Sequence, residues 1–181
     1  MSCLVLFTGG TRSGKSAMAQ RWAEGRGGER VFLATCRVDD DEMAARVALH
    51  RKARGEGWKL IEETVDPLAA LERMDAPGRK RVLLLDCVST WVANLMGAGL
   101  ACDAVAERVV AFAHGARALH ADAAFVTAET GLGIVPVSAV GRRFRDVLGT
   151  VNQKLASVCD HVVFACCGLP LALKGPLPEG I

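Results

Sequence analysis

Leu4-Val5-Leu6-Phe7-Thr8-Gly9-Gly10-Thr11-Arg12-Ser13-Gly14-Lys15-Ser16 is the stretch on which the fold turns. Its apolar run ends directly in glycines, as a strand buried inside a parallel sheet does. Gly9 to Ser16 then meets the spacing G-x-x-x-x-G-K-S without deviation, the pattern of a phosphate-binding P-loop. Ser16–Glu24 follows with helix formers. Ala19, Trp22 and Ala23 can face inward, and Gly25 closes the segment. A chance match in a glycine-rich chain would not sit between a strand and a helix.

Each residue of the loop has a chemical reason. Glycine lets the backbone turn so that consecutive N–H groups of Gly9, Gly10, Thr11, Arg12, Ser13 and Gly14 point at phosphate oxygens. Lys15 supplies a point charge to the β and γ phosphates, and Ser16 offers a hydroxyl to Mg²⁺. The helix that follows presents its positive end to the same anion.

Working outward, Arg30–Ala34, Lys59–Glu62, Arg81–Asp86, Ala123–Thr127 and His161–Cys166 predict further strands. Between them, helices are expected from Asp39 to about Arg54, from Pro67, and over Asp103–Leu119 and Arg142–Ser157. Strands alternating with helices imply an α/β fold with a mostly parallel sheet covered on both faces, a three-layer α/β/α arrangement. No repeat or linker splits the chain, so residues 1–181 read as a single nucleotide-binding domain. The Pro- and Gly-rich stretch 170–181 reads as a peripheral or frayed tail.

Asp86 ends the most hydrophobic strand, after Val82 to Leu85. A carboxylate there can reach the magnesium shell beside a P-loop, directly or through water. A solvated strand-end aspartate is the plainer alternative.

Composition narrows the partners. A formal charge of +2 gives no electrostatic case for nucleic acid or an anionic membrane. The absence of tyrosine argues against a stacking platform for single strands. The seven cysteines form no C-x-x-C pair, and they read as buried reduced thiols rather than a zinc site or disulfide framework. The apolar start lacks a basic flank, and no run approaches the roughly 20 residues of a membrane span. A cytoplasmic protein is expected.

A second informative stretch is Asp39 to Arg54. On a helix, Glu42, Arg46, His50 and Arg54 fall on one polar stripe. Cations at Arg46, Arg51 and Arg54 around His50 make a place to meet phosphate and favour the neutral, nucleophilic imidazole. On the residue pattern alone, a solvated amphipathic helix of alternating charge is the simpler account. His114, His120 and His161 have no comparable surroundings and read as structural or solvent-facing.

Taken in order, the blocks resemble one family. They are Thr8 to Ser16, Ala34-Thr35, Asp40 to Arg46, His50-Arg51 with Arg54 and Trp58, and Leu85-Asp86-Cys87 with Asn94-Leu95. Val126-Thr127, Glu129, Gly131, Gly133 to Pro136, Arg143 to Asp146, Gly149 and Asn152-Gln153 complete the set. The chain resembles the bifunctional adenosylcobinamide kinase / adenosylcobinamide-phosphate guanylyltransferases of cobalamin biosynthesis, P-loop NTPases of RecA-like fold.

The resemblance implies phosphorylation of the aminopropanol hydroxyl of adenosylcobinamide. It then implies transfer of GMP from GTP to that phosphate through a guanylylated histidine, at the position of His50. It assigns catalysis to His50 and Lys15. Nucleotide contacts are implied at Gly9 to Ser16, Ala34, Thr35, Cys36, Arg51, Lys52, Ala53, Arg54, Glu62 and Asp86. Glu62 is an acceptor suited to guanine N–H groups. Ser16 and Asp86 are implied as magnesium ligands, with GTP and ATP as substrates. A homo-oligomer, specifically a trimer, is also implied.

The chain departs from the family pattern in three places: Leu49 in place of a second histidine, Ala128 in place of asparagine, and Cys36 in place of serine. The Glu129–Pro136 loop is a candidate wall of the corrinoid site or an ordinary connection. Two competing functions stay open at this point: an ordinary P-loop kinase for a small metabolite, and a nucleotide-dependent regulatory protein without turnover.

Overall fold

The computed structural model describes residues 2–36, 55–74 and 79–181. The predicted helix from Asp39 to Arg54, with Arg46 and His50 on it, lies outside them. Among the described residues, seven strands form one sheet in the order β3-β2-β4-β5-β1-β6-β7. The strands are β1 (Leu4–Gly9), β2 (Glu29–Ala34), β3 (Trp58–Glu62), β4 (Arg81–Asp86), β5 (Asp122–Val126), β6 (His161–Cys166) and β7 (Leu169–Lys174). All pairings are parallel except β6 with β7. The α/β, mostly parallel architecture expected from the alternating pattern is therefore present.

Helices cover both faces. On one face α1 (Lys15–Glu24) seats Met18, Ala19, Trp22 and Ala23 against Val5, Phe7, Val82, Leu84 and Ala124. The other face carries α2 (Pro67–Arg73), α3 (Val88–Gly97), α4 (Cys102–Ala118) and α5 (Ala139–Val158). There Trp91, Phe112 and Phe125 meet edge to face, with ring centroids 5.9 and 6.0 Å apart. Such geometry adds to the stabilisation from burial alone. Every residue of β1 is buried. That is why it reads as a continuous apolar run rather than an alternation.

Three expectations change. The tail is not frayed: Leu169–Lys174 pairs antiparallel with β6, and Ile181 packs against the α1-side core. Proline at 170 is tolerated because β7 is an edge strand with one open side. The thiols are free but not generally buried, since Cys102, Cys166 and Cys167 are exposed and only Cys159 is buried. Burial pushes the Cys159 thiol up to about 12, so it is inert as a nucleophile. Finally, α3 has no counterpart in the sequence reading. Its residue Cys87 offers no side-chain cap, and apolar Val88, Trp91, Val92 and Leu95 obscure any helix start signal.

The start of β1 is held by two carboxylates. Asp122 accepts the Cys3 N–H at 2.8 Å, and Asp160 accepts the Leu4 N–H at 2.8 Å. Arg117 donates to both oxygens of Asp160 at 3.1 Å. Burial works to raise the Asp160 pKa, but the Leu4 N–H and Arg117 outweigh it, and the net shift is downward. A depressed carboxylate stabilises the fold above its ordinary pKa and loses that contribution as pH falls through the folded value. Asp160→Asn should therefore destabilise the protein by about 1 kcal/mol at pH 7. The difference from the parent should shrink on acidification below about pH 4 in denaturant titrations; a difference that grows on acidification would contradict the assignment.

Candidate active site

The phosphate loop is shaped by a lack of room. Gly9 ends β1 at φ 151, and a Cβ there would stand 2.4 Å from the Ala165 carbonyl oxygen and 2.8 Å from Ser13 Oγ. Only glycine fits. The chain then rises through exposed Gly10, Thr11 and Arg12, with Arg12 left-handed at φ 57. It returns at Ser13, whose N–H donates to the Gly10 carbonyl at 3.4 Å. Gly14, at φ 96, caps α1, so Lys15 and Ser16 are the first two residues of the helix. Lys15 Nζ lies within the loop's own span, donating to the Gly10 carbonyl at 3.0 Å. Ser13 Oγ and Thr8 Oγ1 are buried with no hydrogen-bond partner among the described residues.

Parallel pairing sets the other predicted residues beside this loop. Glu62 is in register with Ala34, Ala34 with Asp86, Asp86 with Val126, and Val126 with Phe7. One row across five strands thus ends in Glu62 at one side and reaches the base of the P-loop at the other. At ~4.8 Å per strand it spans roughly 19 Å. Asp86 is separated from the P-loop strand by β5 alone. Its carboxylate and the Ser16 hydroxyl are hard oxygen donors, a set that suits Mg²⁺ with water completing its shell.

Just past the row, polar side chains fasten the connections. Thr35 is buried, its hydroxyl donating to the Cys87 carbonyl at 2.8 Å while its own carbonyl accepts from Asn94 Nδ2 at 2.7 Å. Asn94 also donates to Thr64, tying the exits of β2, β3 and β4 together. On the other side, Thr127 donates to Asn152 Oδ1 at 2.7 Å, and Asn152 Nδ2 donates to the Ala128 carbonyl at 3.1 Å. Ser89 Oγ accepts the Ala128 N–H at 2.7 Å. Ala128 is held by its backbone, so the loss of an amide side chain there does not free the loop. Ser89 is the member that sequence reasoning missed, because it lies on the unread helix α3.

The Glu129–Pro136 loop begins against the phosphate loop: the Glu129 N–H donates to the Gly9 carbonyl at 3.0 Å. Glu129 itself accepts the Gly131 N–H at 2.6 Å. Beyond it, Leu132, Ile134 and Val137 are 81%, 97% and 98% exposed, an apolar lip rather than a packed connection. Of the predicted site residues, the structure gathers Gly9 to Ser16, Ala34, Thr35, Cys36 and Asp86 along one sheet edge, with Glu62 exposed at its outer end. His50, Arg51, Lys52, Ala53 and Arg54 lie outside the described residues.

This edge, with a glycine loop between β1 and α1 and one strand between that loop and an acidic strand end, defines a P-loop protein of the RecA-like class. Solved structures share the fold. A KaiC-like protein from the archaeon Pyrococcus horikoshii superposes with a TM-score of 0.55 at 16% identity, covering 99% of this chain and 82% of that one. A type III secretion ATPase gives 0.56 at 13% identity, covering 94% and 56%. The chain belongs to the cobinamide kinase / cobinamide phosphate guanyltransferase family, whose model matches residues 5–173. It is 39% identical over 174 residues to the bifunctional adenosylcobalamin biosynthesis protein CobP of Pseudomonas aeruginosa, covering 94% of this chain and 96% of the relative. It is 35% identical over 183 residues to the corresponding CobU of Escherichia coli, covering 94% and 99%.

Because Gly9 has no space for a methyl group, Gly9→Ala should displace either the loop or β6. We expect a loss of about 2–3 kcal/mol in denaturant unfolding, with GTP binding lost in calorimetry. Binding retained at parental affinity would show that the loop tolerates the added atom.

Proposed function

We propose that this chain phosphorylates adenosylcobinamide and transfers GMP from GTP to the product, giving adenosylcobinamide-GDP through a guanylylated His50. The observation that carries the reading is the in-register row from Glu62 through Ala34 and Asp86 to the P-loop. It offers a triphosphate grip at one end and polar groups for a base at the other. Family membership supplies the acceptor.

In the kinase step the acceptor hydroxyl oxygen attacks the γ-phosphorus, the bond to the β-phosphate oxygen breaks, and the nucleoside diphosphate leaves. In the second reaction an imidazole nitrogen of His50 attacks the α-phosphorus, a P–N bond forms, and pyrophosphate departs. An oxygen of adenosylcobinamide phosphate then attacks the same phosphorus and the P–N bond breaks. Splitting one displacement into two lets a single nucleotide site serve both halves. Lys15 and the loop N–H groups hold the outer phosphates, which carry the developing charge in either reaction. Arg51 and Arg54 are suited to paired hydrogen bonds with phosphate oxygens, with Lys52 and Ala53 on the same segment. Mg²⁺, held by Ser16 and through water by Asp86, would neutralise charge on the leaving phosphates.

GTP labelled at the α-phosphate should leave an acid-labile, base-stable label on the protein. His50→Ala should remove it while phosphorylation of adenosylcobinamide persists. Lys15→Ala should slow both reactions by ~100-fold or more, about 3 kcal/mol of transition-state stabilisation. Label undiminished in the His50 variant would exclude that nucleophile. Failure of adenosylcobinamide phosphate to discharge the label would exclude the transfer.

The proposal includes a cytoplasmic homo-oligomer, a trimer by resemblance. Its support here is the open edge of β7, where alternate residues Leu169, Leu171 and Leu173 are 57–69% exposed. Sedimentation equilibrium should give three chains per particle. Leu171→Glu with Leu173→Glu should lower that number; a parent that sediments as a single chain at micromolar concentration would refute the assembly.

A further inference from the structure

Cys166 ends β6, and the two-residue turn Cys167-Gly168 leads into β7, with Cys166 and Leu169 as the last pair of the ladder. Both thiols are exposed, and their sulfurs are 3.8 Å apart. They contribute nothing to the core. Cys167 adopts φ 52 and Gly168 φ 79, the pair of left-handed residues that a tight hairpin requires and that Asn-Gly or Gly-Gly would supply more easily. A side chain kept in a disfavoured conformation at an exposed turn points to a use for the side chain.

The turn is also joined to the phosphate loop. The Gly168 N–H donates to the Ser13 carbonyl at 3.0 Å, and a Cβ on Gly14 would stand only 3.3 Å from Gly168 Cα. Whatever moves the sulfurs moves a neighbour of two P-loop residues. The Cys166 thiol is raised by its hydrogen bond with Cys167 and by that neighbour's charge. Among the described residues, no group of three or more His, Cys, Asp or Glu is placed to hold a metal ion. The donor set is two soft sulfurs and no more. It does not suit four-coordinate zinc, but it does suit a thiophilic centre that needs two bonds and keeps its third substituent.

We propose that Cys166 and Cys167 form a binding site for trivalent arsenicals, and that filling it weakens nucleotide binding at the adjoining P-loop. In the reaction each thiol forms one sulfur–arsenic bond and both arsenic–oxygen bonds of an organoarsonous acid break. The two thiol protons leave with those oxygens as water. Neither sulfur nor arsenic changes oxidation state, and the product is a ring through both side chains. Closing that ring fixes the separation of the sulfurs and twists the turn whose N–H supports Ser13.

The test uses the full chain and phenylarsine oxide, followed by intact-protein mass and by GTP titration of the same sample. One phenylarsenic group per chain is expected, removable by 2,3-dimercaptopropanol and absent from Cys166→Ser and Cys167→Ser. The adduct should weaken GTP binding roughly three- to tenfold, the value of one supporting hydrogen bond. The serine variants should bind GTP as the parent does, with or without the arsenical; their thermal unfolding, matched to the parent, shows that they are folded. An adduct that persists in both variants would overturn the site. An adduct that leaves GTP affinity unchanged would overturn its link to the P-loop. The link rests on the nucleotide reading, whereas the sulfur site does not. If untreated protein failed to bind GTP, that reading would fall, and adduct stoichiometry would still decide the site.

Discussion

The carbonyl oxygen of Ala165 lies 2.4 Å from where a Cβ on Gly9 would be, and Ser13 Oγ closes on the same point from the other side. Three pieces of chain far apart in sequence are thereby brought to one spot: the end of β1, the top of the phosphate loop and the end of β6. The loop can turn back over its own strand because nothing projects from Gly9. β6 can run close beside β1 for the same reason, with Gly9 in register with Ala165. β6 in turn is secured by β7, and the turn between them supports Ser13. The last strand of the chain is thus part of what holds the first loop, although residues 170–181 look dispensable by composition.

The parts of the fold legible in the sequence are those where a single physical demand dominates. β1 and β4 are buried on both faces, which required uninterrupted apolar runs, and Arg81–Asp86 and His161–Cys166 matched their predicted limits. α2 was legible through Pro67, and Asp66 before it accepts the Ala69 N–H at 3.2 Å. α3 was not. Its core-facing tryptophan and valines resemble a strand, and no side chain caps its first turn. β7 was obscured by Pro170 and by flanking glycines, which signal loop where an edge strand can absorb them. The thiols misled because cysteine is usually buried, whereas the turn at Cys166-Cys167 places two of them in solvent.

In the site, spacing alone identified the residues of the glycine loop between β1 and α1. Asp86 was legible from its position at the end of an apolar strand. The register that brings Glu62, Ala34 and Asp86 into one row was not, because parallel partners are distant in sequence and no local pattern sets their alignment. Nor were the ties that hold the strand exits. Thr35, Asn94, Ser89, Thr127 and Asn152 are ordinary polar residues in sequence, and their value lies in reaching carbonyls and N–H groups across 24 to 59 positions. Ala128 illustrates the point, since its place in the family pattern suggests a lost amide, while its backbone is gripped from both sides.

The two reactions proposed for this edge make opposite demands on one nucleotide. Attack at the γ-phosphorus needs the end of the triphosphate open to an acceptor, while attack at the α-phosphorus needs the β and γ groups held as a leaving unit. A fixed loop can meet both demands only if the nucleophiles approach from different places and the grip stays unchanged. The geometry supplies the unchanged grip. The loop is pinned by Ala165, Gly168 and Glu129, so it is not the part that must move between reactions. The apolar lip of Leu132, Ile134 and Val137 rises from Glu129 beside the loop, on the β5 side. A large acceptor and a histidine approaching from different places would serve different phosphorus atoms without competing for the same space. Such division makes a covalent relay physically economical: the nucleotidyl group is parked on the protein, the pyrophosphate leaves, and the acceptor meets only one phosphorus.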